Sequence, residues 1–186
     1  MIAALVVTGC ATVPQSPNGE PGPLPYVMLP PESLGHGLSL SQVVTGDYGD
    51  ESYSMRFEVE VTGDHLVMVG LSHLGVPLFL LKQDAEDFSV QSFTADQVPF
   101  DPRHILSDFQ LTHWPEAALT RALAPQHLRL EDEPDQSTRR VFDAGGRLLI
   151  EISHPGRPSA ADETIVQHFD RPYRLRIKTL EAREVP

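Results

Sequence analysis

The sequence predicts a mainly β domain of the α+β class, with one antiparallel sheet and a short helical pair on one of its faces. Three observations predict it. Residues 53–61 alternate strictly between apolar and polar side chains; runs of strand character bounded by turn residues recur in both halves of the chain; and between those halves, residues 101–125 change to helical spacing.

Strand character begins at Leu38. Tyr53, Met55, Phe57, Val59 and Val61 share one side and Ser54, Arg56, Glu58 and Glu60 the other, the period-two pattern of a strand buried on one face. Thr62-Gly63-Asp64 supplies a turn, and Leu66–Leu71 returns beside it. Val76–Lys82 and Phe88–Phe93 read as the next two strands. Asp101 before Pro102 gives an N-cap with proline at the first helical position. Ile105, Leu106 and Phe109 then recur at helical spacing through Leu111. A second short helix starts at Pro115, carries Ala118, Leu119, Ala122 and Leu123 on its apolar side, and stops at Pro125. Arg139–Phe142 and Leu148–Ile152 flank Asp143-Ala144-Gly145-Gly146 as a hairpin. Thr164–Phe169 leads through Asp170-Arg171-Pro172 into Tyr173–Leu180, where Tyr173, Leu175 and Ile177 oppose Arg174, Arg176 and Lys178.

A chain of 186 residues, 40% hydrophobic and 22% charged, fits one globular domain. Its formal charge of -12 would repel a polyanion, which argues against nucleic-acid binding, and leaves apolar groups or a lipid as the means of membrane contact. A single cysteine permits no intrachain disulfide. The eight histidines, at 36, 65, 73, 104, 113, 127, 154 and 168, include no pair at the i, i+4 spacing of a helical zinc motif, so no metal or other cofactor is expected. Ser72 and His73 are adjacent, but neighbours on a strand point to opposite faces, and the surrounding string is not a Gly-x-Ser-x-Gly elbow. The chain reads as a binding or structural protein, not an enzyme. Asp84, Glu86 and Asp87 read as a solvated turn, and Arg174, Arg176 and Lys178 as a wet sheet face.

Val7-Thr8-Gly9-Cys10 resembles a bacterial lipobox, in which small residues admit a peptidase and the cysteine thiol takes a diacylglyceryl group. Two or three acyl chains, at about 0.8 kcal/mol per buried methylene, anchor stably where one is marginal. No basic region precedes the apolar run, so the true start is expected upstream. Prolines 14, 17, 21, 23, 25, 30 and 31 rule out a helix or central strand over residues 14–31 and read as an extended tether. The expected layout is a signal segment over 1–9, a lipidated Cys10 and tether over 10–31, and a folded domain over 32–186. Ala11, not aspartate, follows the cysteine, as in lipoproteins sorted to the outer membrane.

Several strings in order carry a family resemblance: Leu29-Pro30-Pro31-Glu32-Ser33-Leu34-Gly35, Leu38 to Gln42, Leu66 to Gly75, Leu106 to Leu111 with Trp114-Pro115, and Arg147 to Ile152. Together they resemble, over residues 29–180, a bacterial lipoprotein family found beside aryl polyene biosynthesis genes and grouped with the sorting factors LolA and LolB. The resemblance implies a strongly curved antiparallel half-barrel, LolB-like, whose apolar concave face is lidded by short helices and holds acyl chains. It also implies a leucine–glycine loop that meets the membrane, matched here by Leu74 and Gly75; His73 stands where such proteins often carry proline.

The apolar stripes alone serve a filled core or a lined cavity equally well. With the resemblance, the candidate lining is Tyr53, Met55, Phe57, Val59, Phe79, Phe109, Trp114, Leu148, Ile150, Tyr173, Leu175 and Ile177. The implied partners are acyl chains or an aryl polyene-type lipid, the outer membrane through the anchor, and a periplasmic LolA-like carrier. The implied role is a lipid-anchored outer-membrane lipoprotein, facing the periplasm, that binds lipid and aids its delivery. The competing expectation is a structural lipoprotein with a filled core that supports an envelope biosynthetic assembly.

Overall fold

The computed structural model describes residues 26–94, 101–133, 135, 137–153 and 163–185; Cys10, most of the proposed tether and His154 lie outside them. Ten strands form one open antiparallel sheet. They are β1 (Gly37–Tyr48), β2 (Glu51–Val61), β3 (Leu66–Leu71), β4 (Pro77–Gln83), β5 (Phe88–Ser92), β6 (Arg129–Glu133), β7 (Thr138–Phe142), β8 (Leu148–Ser153), β9 (Thr164–His168) and β10 (Tyr173–Val185). Their order across the sheet is β5-β4-β3-β2-β1-β10-β9-β8-β7-β6. Each half of the chain is thus a meander, and the first and last strands join the halves along a twelve-residue seam from Gly37↔Val185 to Tyr48↔Tyr173.

Helices α1 (Pro102–His113) and α2 (Glu116–Leu123) connect β5 to β6 across the width of the sheet. The sheet curves around them. Register shifts occur at Ser41/Gln42 against β10, at Gly70/Leu71 against β4 and at Val141/Phe142 against β8, and such irregularities bend and twist a strand. At the first of these, Leu180 is the unpaired residue, which accounts for its exposure.

Alternation fixes the faces as the sequence predicts. Met55, Phe57, Val59 and Val61 turn inward with Leu66, Met68, Phe79, Leu81, Val141, Ile150, Ile152, Val166, Leu175 and Ile177, and all are buried. Gly70 is required by the approach of β4, because a Cβ there would run into the Phe79 ring. Asp101 caps α1, its carboxylate accepting from Arg103 N at 2.9 Å, with Pro102 at the first helical position.

Helix α1 is buried from Leu106 to His113, beyond what one apolar stripe would give. The reason is a strap on its outer side. Tyr26–Pro31, expected within the tether, instead lies against the helix. Val27 N donates to Ser107 Oγ (2.9 Å) and Leu29 N to Gln110 Oε1 (2.7 Å), while Gln110 Nε2 and Gln83 Nε2 donate to Leu29 O (2.7 and 2.9 Å). Proline denies this segment a ladder, and polar side chains of α1 and β4 satisfy its backbone in place of one. A short 3-10 turn, Pro31–Leu34, follows and places Leu34 in the core.

The C-terminal end of α1 is held by Arg139 of β7. Its Nη1 donates to the carbonyls of Leu111 (2.6 Å) and Trp114 (3.0 Å), and its Nε and Nη2 donate to Asp132 Oδ2 (3.1 and 2.5 Å). A buried cation at a helix C-terminus meets otherwise orphaned carbonyls and the negative end of the helix dipole.

Candidate functional site

Beneath the N-terminal half of α1 the helix and sheet do not meet, and a cavity of about 350 Å³ separates them. Its floor is the seam of the two meanders: Gln42, Val44, Gly46 and Tyr48 from β1; Tyr53, Met55, Phe57 and Val59 from β2; Met68 from β3; and Tyr173, Leu175 and Ile177 from β10. Ile105 and Phe109 form its roof, and Asp101, His104, Asp108, Glu51 and Arg171 complete the wall.

Burial shows which way it opens. Val59, Met68 and Ile177 are buried, Val44, Gly46 and Tyr173 are half-buried, and Tyr48, Glu51 and Tyr53 are exposed. The mouth therefore lies at the β1–β2 turn. The register places the β3–β4 turn, the end of β5 and the β9–β10 turn at this same end of the sheet, since Leu71 pairs with Arg56, Ser92 with Phe79 and Tyr173 with Tyr48 through the seam. The large apolar side chains exposed at this end are Tyr48, Tyr53, Leu74, Val76, Phe93 and Phe169; only Val90 and Leu180 among the exposed large hydrophobics of the described residues stand elsewhere.

Of the expected lining, Tyr53, Met55, Phe57, Val59, Phe109, Tyr173, Leu175 and Ile177 face the cavity. Phe79, Trp114, Leu148 and Ile150 do not. Phe79 packs edge-on against Phe57 (5.8 Å between ring centres), and Ile150 is fully buried under the far half of the sheet. Leu148 is half-buried at the β7–β8 register shift, where Phe142 pairs with it. Trp114 is enclosed in the core, its Nε1 donating to Ser33 Oγ at 2.7 Å and its ring edge-on to Phe109. The space under Trp114 is filled; the hollow lies one to two helical turns toward the N-terminus. Residues the alternation does not reveal, Val44, Met68 and Ile105, complete the apolar wall.

A polar cluster stands beside the mouth. His168 Nε2 and Asp108 Oδ1 are 3.1 Å apart, both side chains almost wholly buried. Asp108 Oδ2 has no hydrogen-bond partner of good geometry, although the Tyr173 phenol lies close enough for burial first, and then Asp108, to push its ionisation well up. His104 is pushed down, chiefly by burial, and is therefore neutral at pH 7. One signal in the sequence points to this cluster: Asp108 falls on the same helical face as Ile105, Phe109 and Thr112, so a carboxylate sits on the buried stripe. Ser72 has a purely local role, its Oγ accepting from Leu74 N (3.3 Å) and Val76 N (3.2 Å) to shape the β3–β4 turn. Among the described residues no three His, Cys, Asp or Glu side chains converge on a metal position, and no helix is long and apolar enough to cross a membrane.

The sequence model of the family described as "protein of unknown function (DUF3261)" matches residues 39–181, which contain nearly all of the sheet and both helices. The chain belongs to this family. No curated protein matches it significantly. Solved structures with a related chain path include a DUF1329 family protein from Desulfovibrio piger (9% identity, 80% of this chain and 85% of that one, TM-score 0.45). Another is the LolA superfamily protein NE2245 from Nitrosomonas europaea (10% identity, 83% and 92%, TM-score 0.45). A third, from Vibrio parahaemolyticus, is a domain described as an outer membrane lipoprotein-sorting protein (8% identity, 80% and 85%, TM-score 0.43).

Proposed function

We propose that the protein is a lipid-anchored envelope lipoprotein that takes an acyl chain, or an apolar lipid of similar girth, into the cavity and aids its delivery to a membrane. The observation that carries this reading is the cavity itself: an apolar cleft with a few polar groups at one end is the usual form of a small-ligand site. Moving an apolar chain from water into such a cleft is favourable by about 0.8 kcal/mol per methylene, and a bilayer offers the same gain on release.

The surroundings of the mouth support a membrane as donor or acceptor. Leu74 is 91% exposed at the tip of the β3–β4 turn, and Val76, Phe93, Tyr48, Tyr53 and Phe169 share its end of the molecule. Tyrosines at such a rim suit the headgroup boundary, where a ring meets apolar chains and its hydroxyl meets water. The chain also enters the domain here, since Tyr26 packs edge-on against His104 beside the mouth. Fifteen residues separate Cys10 from Tyr26, a reach of about 58 Å at most. A lipidated Cys10 would hold the open end within that distance of the bilayer. Outer-membrane placement facing the periplasm, a LolA-like donor, and lipoprotein or aryl polyene-type cargo complete the proposal and stem from the sequence resemblance.

The test is extraction of lipid from protein purified gently from its native host, followed by mass spectrometry. Acyl lipid co-purifying in near-equal amount is the expected result. Protein free of lipid, with no affinity for a fluorescent fatty acid, would leave the competing view, a lipoprotein that supports an envelope assembly through surface contacts.

A further inference from the structure

We propose that the cavity is fitted to an acyl chain bearing an uncharged polar group, an ester or amide, and that it discriminates against free fatty acid anions. This rests on the acyl-binding reading above and specifies its ligand.

The cleft of about 350 Å³ is walled by apolar side chains along most of its length, which suits a chain tail, and its polar groups stand at the mouth end, where a head would sit.

Charge decides the headgroup. The polar part of the wall carries the carboxyl side chains of Glu51, Asp101 and Asp108 against one guanidinium, Arg171. That guanidinium is already held by Asp170, whose Oδ2 accepts from Nε at 3.4 Å and Nη2 at 3.2 Å. His104, the remaining basic group, is kept neutral by burial. An anionic head placed here meets like charges at the mouth, which disfavour it. An uncharged ester or amide avoids that repulsion. Its carbonyl can accept from the His104 ring or the Arg171 guanidinium, and a hydroxyl or amide N–H can donate to Asp108, whose Oδ2 lacks a well-formed partner. Buried polar groups left unpaired discriminate strongly between ligands that satisfy them and ligands that do not.

The experiment is displacement of an environment-sensitive acyl probe at pH 8. The competitors are monomyristin and sodium myristate, each below its aggregation limit. Monomyristin is expected to bind about tenfold or more tighter than myristate. In the double variant Glu51→Gln/Asp101→Asn, both exposed positions, the handicap of myristate should shrink to about threefold. Equal or better binding of myristate would overturn the assignment while leaving acyl binding intact. If the probe and both lipids fail to bind, the acyl-binding reading falls with it.

Discussion

At Arg139 one side chain ties together three elements: β7, which carries it; β6, through Asp132; and α1, through the carbonyls of Leu111 and Trp114. Removing it leaves a nearly buried carboxylate and two buried carbonyls without partners. Breaking such a buried pair from one side costs about 3–5 kcal/mol, so Arg139→Ala should lower the urea midpoint by a large fraction of the total stability. Arg140→Ala, whose pairs with Glu133 and Glu151 are more exposed, should shift it by about 1 kcal/mol or less. His113 makes a pH-dependent contribution. Burial, then the positive charges of Arg139 and His36, push its pKa from 6.5 down to about 3. Between those values the unfolded chain binds a proton that the native state excludes. The stabilisation is therefore complete above pH 6.5 and is lost as pH falls toward 3, at up to about 1.4 kcal/mol per pH unit. Unfolding midpoints measured from pH 7.5 to 4 should fall steeply for the native chain and less so for His113→Phe, which cannot titrate.

Among the elements, the β3–β4 turn carries the proposed membrane contact. Gly75 sits at φ +78°, and Ser72 accepts three backbone N–H groups across the turn, those of Leu74 and Val76 at its hydroxyl and that of Gly75 at its carbonyl. Ser72 thus supplies the rigidity that a proline at position 73 would otherwise give, and it leaves Leu74 without core contacts. Leu74→Glu should lower association with zwitterionic vesicles by roughly tenfold, the effect of about 1.4 kcal/mol, without moving the thermal midpoint; sedimentation with vesicles measures the first and calorimetry the second. Strands with alternating stripes, β2 and β10 above all, are legible in the sequence because one face is core and the other is wet. Strand β6 is not. Four of its five residues are charged and only Leu130 is buried; it is an edge strand kept in place by Arg139–Asp132 and Arg140–Glu133. The last five residues of β10 are equally silent, since they lie past the register shift and pair with β1 while mostly exposed. The strap is illegible for a different reason: prolines report that a segment cannot join a ladder, and they say nothing of where it packs.

At the scale of the molecule, two meanders joined at the β1–β10 seam produce a sheet wide enough to curve, and a helical crossover tied from Ser107 to Trp114 spans it without filling it. Alternation identifies the inward wall, which is why Met55, Phe57, Val59, Leu175 and Ile177 are recognisable from sequence as lining. It does not report what stands opposite each residue. Phe79, Ile150 and Trp114 share the same apolar signature as the lining and yet are covered; Phe57 packs on Phe79, and Phe109 and Ser33 on Trp114. The proposed anchor is separable from the fold. Growth with a palmitate analogue should label the native chain and leave Cys10→Ala unlabelled, with an unchanged far-ultraviolet spectrum for the soluble variant. Whether the space under Ile105 admits a lipid chain is read by titrating an environment-sensitive acyl probe into the native protein and into Val44→Trp/Ile105→Trp. The filled variant should keep its thermal midpoint within a few degrees and lose about tenfold or more in probe affinity; equal affinity in the two proteins would place any bound lipid elsewhere and rule out the cavity as its site.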